Sequence, residues 1–182
     1  MLKKIALLLL LVLPLSLFAQ KLAYFKSESI IPVMPEFAKA QQDLQTQRKQ
    51  YEEEIKRYED EFGKKIAAFQ QEQKTLPQNI LERRQKELQE LQEKVMQFQQ
   101  DAQQQLQKIN YDLMTPIYEK MEKAVKTVGK AGAYTMVFDL NRTDIPYIDE
   151  ASVKDITNDI KKNLGISLTA VPYNPAGQTQ GR

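Results

Sequence analysis

The sequence contains no cysteine and no histidine among its 182 residues, and only six glycines. Without cysteine and histidine, the usual zinc sites, cysteine nucleophiles and serine-histidine-aspartate triads are excluded. A lipid anchor on cysteine is excluded for the same reason, and no disulfide bond can stabilise the fold. The stability of the folded chain must therefore come from packing.

The usual sequence motifs of enzymes are also missing. There is no glycine-rich phosphate loop and no nucleophile elbow, and the serines have no histidine to act as their base. The aspartates near the C-terminus do not have the spacing of an EF-hand calcium loop. The sequence therefore predicts a protein that is not an enzyme and that uses no cofactor and no metal.

The N-terminus has the order of a secretory signal peptide: two lysines, an apolar run over Ile5–Leu13, a break at Pro14 and a small residue at Ala19. The apolar run is too short to cross a bilayer as a helix. We expect residues 1–19 to be removed by cleavage between Ala19 and Gln20, which would place the mature protein outside the cytoplasm. An N-terminal anchor that is never cut is the alternative.

Charge gives little reason to expect nucleic acid as a partner. The chain has 26 basic and 24 acidic residues, a net charge of +2, and two of the lysines belong to the predicted signal peptide. The mature protein is therefore neutral overall, so no general attraction to nucleic acid or to anionic membranes is expected. One local basic cluster leaves a weak contact with an anionic membrane surface open. Its members are Lys64, Lys65, Lys74, Arg83, Arg84 and Lys86.

The middle of the chain predicts two long amphipathic helices, because its apolar residues recur at spacings of three, four and seven. The first stripe is Phe37, Leu44, Tyr51, Ile55, Tyr58, Phe62, Ile66, Phe69 and Leu76. The second stripe is Leu81, Leu88, Leu91, Val95, Phe98, Ala102, Leu106, Ile109, Leu113, Ile117 and Met121. Residues 46–109 would form a coiled-coil arm, and a helix of roughly 40 residues would be about 60 Å long.

Pro77 separates the two stripes and predicts the tip of an antiparallel helical hairpin, because proline lacks an amide proton and disfavours helix in the preceding residue. A single continuous coiled coil kinked at Pro77 is the alternative. Gly63 in the first helix and Pro116 in the second are weak points, and we expect them to act as hinges.

The two ends of the chain predict a small body made of residues 20–45 and 110–170. Leu22–Phe25 and Tyr134–Phe138 have the composition of strands, and Ile145–Ile148 is expected to complete a β-hairpin with the second of them. A short helix with N-cap candidates in Asp155–Asp159, ended by Gly165, would cover the sheet with Val153, Ile156, Ile160 and Leu164 facing inward. So small a core with exposed sheet edges indicates an oligomer. Residues 171–182 are expected to be a disordered tail.

This order of parts resembles the Skp/OmpH family of periplasmic chaperones. The resemblance covers the chain from the first strand to about Ile166, and its most specific portion is the run from Gly132 to Leu164. It implies a mainly α fold with a small β body, in which a homotrimer forms a barrel-like body carrying three helical tentacles. It also implies an ATP-independent holdase that binds unfolded outer-membrane proteins in the periplasm and prevents their aggregation.

Apolar residues of the arm that exceed the needs of a two-helix seam are candidates for contact with such clients. These residues are Tyr51, Tyr58, Phe62, Phe69, Met96 and Phe98. Each of them could instead simply complete the packing of the helices. The rival interpretation of the whole chain is a periplasmic coiled-coil spacer or assembly adaptor with one fixed partner.

Overall fold

The computed structural model describes residues 21–175. The predicted signal peptide, its cleavage point at Ala19 and Gln20, and the end of the predicted tail at 176–182 lie outside these residues. Within 21–175, no helix combines the length and the apolar character that crossing a membrane requires.

Two long helices dominate the described chain. Helix α1 spans Pro35–Glu72 and helix α2 spans Gln78–Ala131. Pro35 occupies the first turn of α1, where its missing amide proton would have no helical partner in any case. The helices are separated by a short turn at Pro77, whose carbonyl accepts the amide protons of Ile80 and Leu81 at 3.0 Å and so starts α2. The predicted helical hairpin is confirmed, and the alternative of one continuous coiled coil is wrong.

Three parallel strands form the sheet, in the order β2-β1-β3. Strand β1 is Leu22–Phe25, β2 is Met136–Asp139 and β3 is Lys154–Asp155. Tyr24, in the central strand, pairs with Phe138 of β2 and with Asp155 of β3. Strands β1 and β2 are parallel, and parallel strands need a long crossover connection, which here contains the two long helices.

The predicted hairpin between Tyr134–Phe138 and Ile145–Ile148 is wrong, because Ile145–Ile148 is a loop. Hydrogen bonds hold the chain that leaves β2 against the segment after β1, and the loop that follows does not pair with β2. Asp139 Oδ1 accepts the amide proton of Ser27 at 3.2 Å, and Asn141 Oδ1 accepts that of Glu28 at 3.1 Å. Asp149 then closes a turn by accepting from the Ala151 amide at 3.1 Å.

Helix α3 spans Thr157–Asn163 and begins within the predicted run Asp155–Asp159, whereas Val153, expected on the inward face of this helix, lies before it. Lys154 and Asp155 belong to β3 instead, and Asp155 Oδ1 accepts the amide proton of Thr157 at 2.8 Å at the start of the helix. The predicted inward positions of Ile156 and Ile160 are confirmed, since both are fully buried. Gly165 has a φ of +72°, which is the left-handed conformation that commonly ends a helix at glycine.

The described residues form two compact units. One consists of residues 21–33 and 120–172, and its core contains the sheet, α3 and the last turns of α2. The other consists of residues 34–119 and 173–175, and it contains α1 and most of α2. The buried apolar side chains of the first unit are Ala23, Tyr24, Phe25, Ile30, Ile31, Met121, Ala124, Ile156, Ile160 and Ile166. Those of the second are Met34, Ala40, Leu91, Ala102 and Ile117.

Candidate functional site

An aromatic cluster joins α1 and α2 in the middle of the helical hairpin. The ring of Phe98 lies 5.3 Å from that of Tyr58 in an edge-on arrangement and 6.1 Å from that of Tyr51. Tyr51 and Tyr58 are seven residues apart, so they lie two turns apart on one face of α1, and the Phe98 ring contacts both. Three of the predicted contact residues are therefore brought together, and all three are half-buried.

Polar groups surround this cluster and limit its access to solvent. The Lys94 ammonium lies 4.7 Å from the centre of the Tyr58 ring, and the Arg57 guanidinium lies 5.4 Å from it. Gln99 Nε2 donates a hydrogen bond of 3.0 Å to Glu59 Oε1 on the other helix. The seam thus mixes apolar contacts with cation–π and hydrogen-bonding contacts, each of modest strength.

Phe69 lies nearer the tip of the hairpin and lines a small cavity between the helices, with a volume of about 90 Å³. The other residues around this cavity are Lys65, Ala68, Glu72, Arg84, Glu87 and Leu88. Phe62, seven residues before Phe69 on the same stripe, is half-buried. These two rings are thus partly covered by the facing helix and partly open to solvent.

Met96 differs from the other predicted contact residues because it lies off the seam, with 54% of its surface exposed. A second exposed apolar group lies further along α2, where Tyr111 is 71% exposed. Tyr111 is not among the contact residues predicted from the sequence. The signal was present, since Tyr111 is an aromatic residue that falls between the stripe positions Ile109 and Leu113.

The two predicted hinge residues lie inside the helices. Gly63 is exposed in α1, and a methyl group added there would meet no atom within 4 Å, so close packing does not require glycine at this position. Pro116 lies inside α2, which continues through it although proline cannot donate the usual helical hydrogen bond. Nearby, the Thr115 hydroxyl donates to the Tyr111 carbonyl at 2.8 Å. The hinge function of Gly63 and Pro116 stays a prediction.

The basic residues near the tip are partly neutralised by acidic residues one turn away. Lys65 pairs with Glu61 at 3.2 Å, Arg84 pairs with Glu87 at 3.6 Å, and Lys86 lies 3.6 Å from Glu90. All of these side chains are substantially exposed, so each pair contributes little to stability. Such pairing leaves only a weak local positive field for an anionic membrane surface.

Titratable groups do not converge on any catalytic or metal site within residues 21–175. No group of three or more acidic residues there could hold a metal ion. Burial raises the pKa of Tyr24 in the central strand, and the nearby Asp155 and Glu150 carboxylates add to the effect, so this shift has a structural cause. The arrangement within residues 21–175 can bind through dispersed apolar and polar contacts.

Comparisons with known proteins identify a matching family and a similar fold. The family model described as "Outer membrane protein (OmpH-like)" matches residues 21–164. A similar solved structure is that of an OmpH-like outer membrane chaperone from Caulobacter crescentus CB15, with a TM-score of 0.65 and 16% sequence identity over 84% of this chain and 88% of that one. At that identity the likeness concerns the fold. A comparison with curated proteins finds no match.

Proposed function

This chain belongs to the OmpH-like outer membrane protein family, and from that membership we propose that it is an ATP-independent holdase chaperone. It would bind unfolded outer-membrane proteins in the periplasm, prevent their aggregation and so assist the assembly of the outer membrane. It would act as a binding protein and not as an enzyme. The observation that carries the proposal is the pair of long helices, whose aromatic stripe is only half-buried and is interspersed with charged residues.

The half-buried stripe suits a protein that must hold many different clients. An unfolded membrane protein exposes scattered apolar segments, and a surface of separated apolar residues can contact several of them at once. Met96 and the aromatic residues Tyr51, Tyr58, Phe62, Phe69 and Phe98 would provide these contacts. Because each contact is weak, a client can leave without a nucleotide-driven step.

Oligomerisation would supply the multivalency that weak contacts require. In the proposed homotrimer, residues 20–45 and 110–170 form the body and residues 46–109 form an arm, with Gly63 and Pro116 as hinges. Within residues 21–175, the three-stranded sheet leaves one side of β2 and one side of β3 without a strand partner, and pairing between subunits would cover such edges. Three arms around one client raise the effective concentration of every contact.

Location follows from the N-terminal sequence. Removal of residues 1–19 between Ala19 and Gln20 would release the mature protein into the periplasm, where its clients pass on their way to the outer membrane. The basic residues near the hairpin tip could then make weak contact with an anionic membrane surface.

Light scattering on the mature protein, beginning at Gln20, tests the proposal. We expect a trimer that keeps an unfolded outer-membrane barrel protein soluble in a complex of defined mass. A monomer or dimer that leaves the barrel protein to precipitate would contradict both the proposed homotrimer and the holdase function.

The second candidate function is a coiled-coil spacer or assembly adaptor with one fixed partner. The many ion pairs along the exposed faces of both helices favour it, since they are typical of solvated helices, and Lys49 with Glu53 and Lys108 with Asp112 are examples. An adaptor would co-purify with that partner and would fail to protect several unrelated unfolded barrel proteins. Protection of at least two unrelated barrel proteins would exclude this alternative.

A further inference from the structure

The C-terminal segment of the described chain lies against the beginning of α1. The ring of Tyr173 meets the ring of Phe37 edge-on, with their centres 6.4 Å apart and their planes at 79°. Both rings are half-buried. This contact is not expected from the sequence pattern, because the segment is rich in proline and poor in apolar residues.

A groove on α1 continues from this ring contact. Its volume is about 200 Å³, and it is lined by Gln41, Leu44, Gln45, Arg48, Tyr173 and Pro175. Phe37, Gln41, Leu44 and Arg48 follow one another at spacings of four, three and four, so they lie on a single face of α1. This face offers apolar surface from Phe37 and Leu44, and side-chain donors from the glutamines and Arg48.

The segment that occupies the groove has the properties of an unfolded peptide. Residues 171–174 are in neither a helix nor a strand. Pro172 has a fixed φ, and Pro175 biases the preceding Asn174 toward extended conformations, so the backbone on both sides of Tyr173 is restricted. The face of α1 therefore receives an aromatic side chain from an extended stretch of polypeptide, whose carbonyl groups the neighbouring donors could bind.

We propose that this face of α1, defined by Phe37, Gln41, Leu44, Gln45 and Arg48, is a binding subsite for an aromatic side chain in an extended segment of client polypeptide. The chain's own Tyr173 occupies it in the absence of a client and competes with the client when one is present. This inference rests on the proposed holdase function, since an unfolded outer-membrane protein would supply the competing segment. The contact in the structure shows which chemistry the groove accepts.

Competition from the tail should reduce the apparent affinity of the groove without closing it. A segment attached to the same chain acts at an effective concentration on the order of 1 mM. If the tail occupies the groove about 90% of the time, the apparent affinity for an added peptide falls about tenfold. Because the Tyr173 ring is only half-buried, a client with several aromatic residues can still displace it.

Two truncated proteins provide a matched pair for the experiment. One ends at Pro172 and lacks Tyr173, whereas the other ends at Pro175 and retains it. The probe is a fluorescein-labelled synthetic peptide with the sequence of residues 169–182, and its binding is followed by fluorescence anisotropy. We expect the protein ending at Pro172 to bind the probe about tenfold more tightly than the protein ending at Pro175. Equal affinities, or no binding to either protein, would overturn the proposal.

Substitutions in the probe and in the protein test whether the probe binds through its Tyr173 ring and in the groove. A probe carrying Tyr173→Ala should lose most of its affinity for the protein ending at Pro172, and Phe37→Ala and Arg48→Ala in that protein should each weaken the unaltered probe. Tyr147→Ala should leave probe binding unchanged, because Tyr147 is exposed in the loop after β2. Circular dichroism identifies any variant that fails to fold. Retained binding in both folded groove variants would place the probe elsewhere and refute the subsite.

The proposal that the groove binds client polypeptide is tested by adding an unfolded outer-membrane barrel protein to the complex of the protein with the probe. We expect displacement of the probe at the concentration at which the barrel protein is kept soluble. A barrel protein that binds and leaves the probe in place would overturn the assignment of the groove to clients. A chain that binds no barrel protein, while still binding the probe in the groove, would overturn the proposed holdase function and leave the tail contact established by itself.

Discussion

The aromatic cluster between the helices yields the most direct test of how the hairpin is held together. Phe98→Ala removes the ring that contacts both Tyr51 and Tyr58, at 6.1 and 5.3 Å. Truncation of a fully buried phenylalanine costs about 3–5 kcal/mol. Phe98 is half-buried, so we expect roughly half of that loss, about 2 kcal/mol, including its two ring contacts.

The assay is thermal unfolding of the mature protein, followed by circular dichroism at 222 nm. For a chain of this length, about 2 kcal/mol corresponds to a decrease in Tm of roughly 4–8 °C. Met96→Ala is the matched control, because Met96 also lies on α2 but is 54% exposed, and a change of less than about 0.5 kcal/mol is expected for it. Equal Tm values for the two variants would refute the reasoning that the cluster holds the seam.

Three further changes test other parts of the fold. Gly63→Ala should raise stability by about 0.5–1 kcal/mol in urea unfolding, because the added methyl group meets no atom within 4 Å and alanine favours helix; a loss would show that glycine is required there. Gly132→Ala should destabilise the protein by about 1–3 kcal/mol in the same assay, because the new Cβ would clash with the ring of Tyr134; an unchanged midpoint would mean that this ring moves freely. Tyr24 has a raised pKa, so the folded state retains its proton after the unfolded state has lost it, and stability should fall as pH rises above about 10. Tyr24→Phe should move the alkaline unfolding midpoint to higher pH, whereas Tyr147→Phe, in an exposed ring, should not.

The helices could be predicted from the sequence because their signals are local. The spacing of seven between Tyr51 and Tyr58 fixes their common face, and Pro77 interrupts the helix wherever the rest of the chain lies. The facing residue Phe98 could be assigned only to a stripe, since its register against α1 depends on the length of the turn. The structure supplied the pairing that joins these three rings.

The sheet was harder to predict because strand pairing depends on distant contacts. Ile145–Ile148 has the composition of a strand, yet it is a loop, since Asp139 and Asn141 direct the chain toward the segment after β1. Lys154 and Asp155 carry no apolar signal, but they pair with β1 because the burial of Ile156 places them beside it. Composition alone could not have ranked these two segments correctly.

The packing of the tail was missed for a related reason. The segment around Tyr173 has little apolar surface, and composition alone predicts that it stays unfolded. Its contact with Phe37 depends on one ring and on where the chain emerges near α1. Single contacts of this kind leave no periodic pattern in a sequence, although they can determine which surfaces are open to a partner.

The structure also separates the residues that hold the arm from those that are free to bind. A client segment that contacts Tyr58 or Phe98 must compete with ring contacts that already exist in the seam. Met96 and Tyr111 present more than half of their surface to solvent, so a client can bury them without breaking a seam contact. If the holdase proposal is correct, Met96→Ala should weaken client binding while leaving Tm nearly unchanged, and Phe98→Ala should lower Tm by more than it weakens binding. Isothermal titration with an unfolded barrel protein, at a temperature where both variants are folded, measures this difference. Equal losses of affinity in the two variants would mean that clients enter the seam itself.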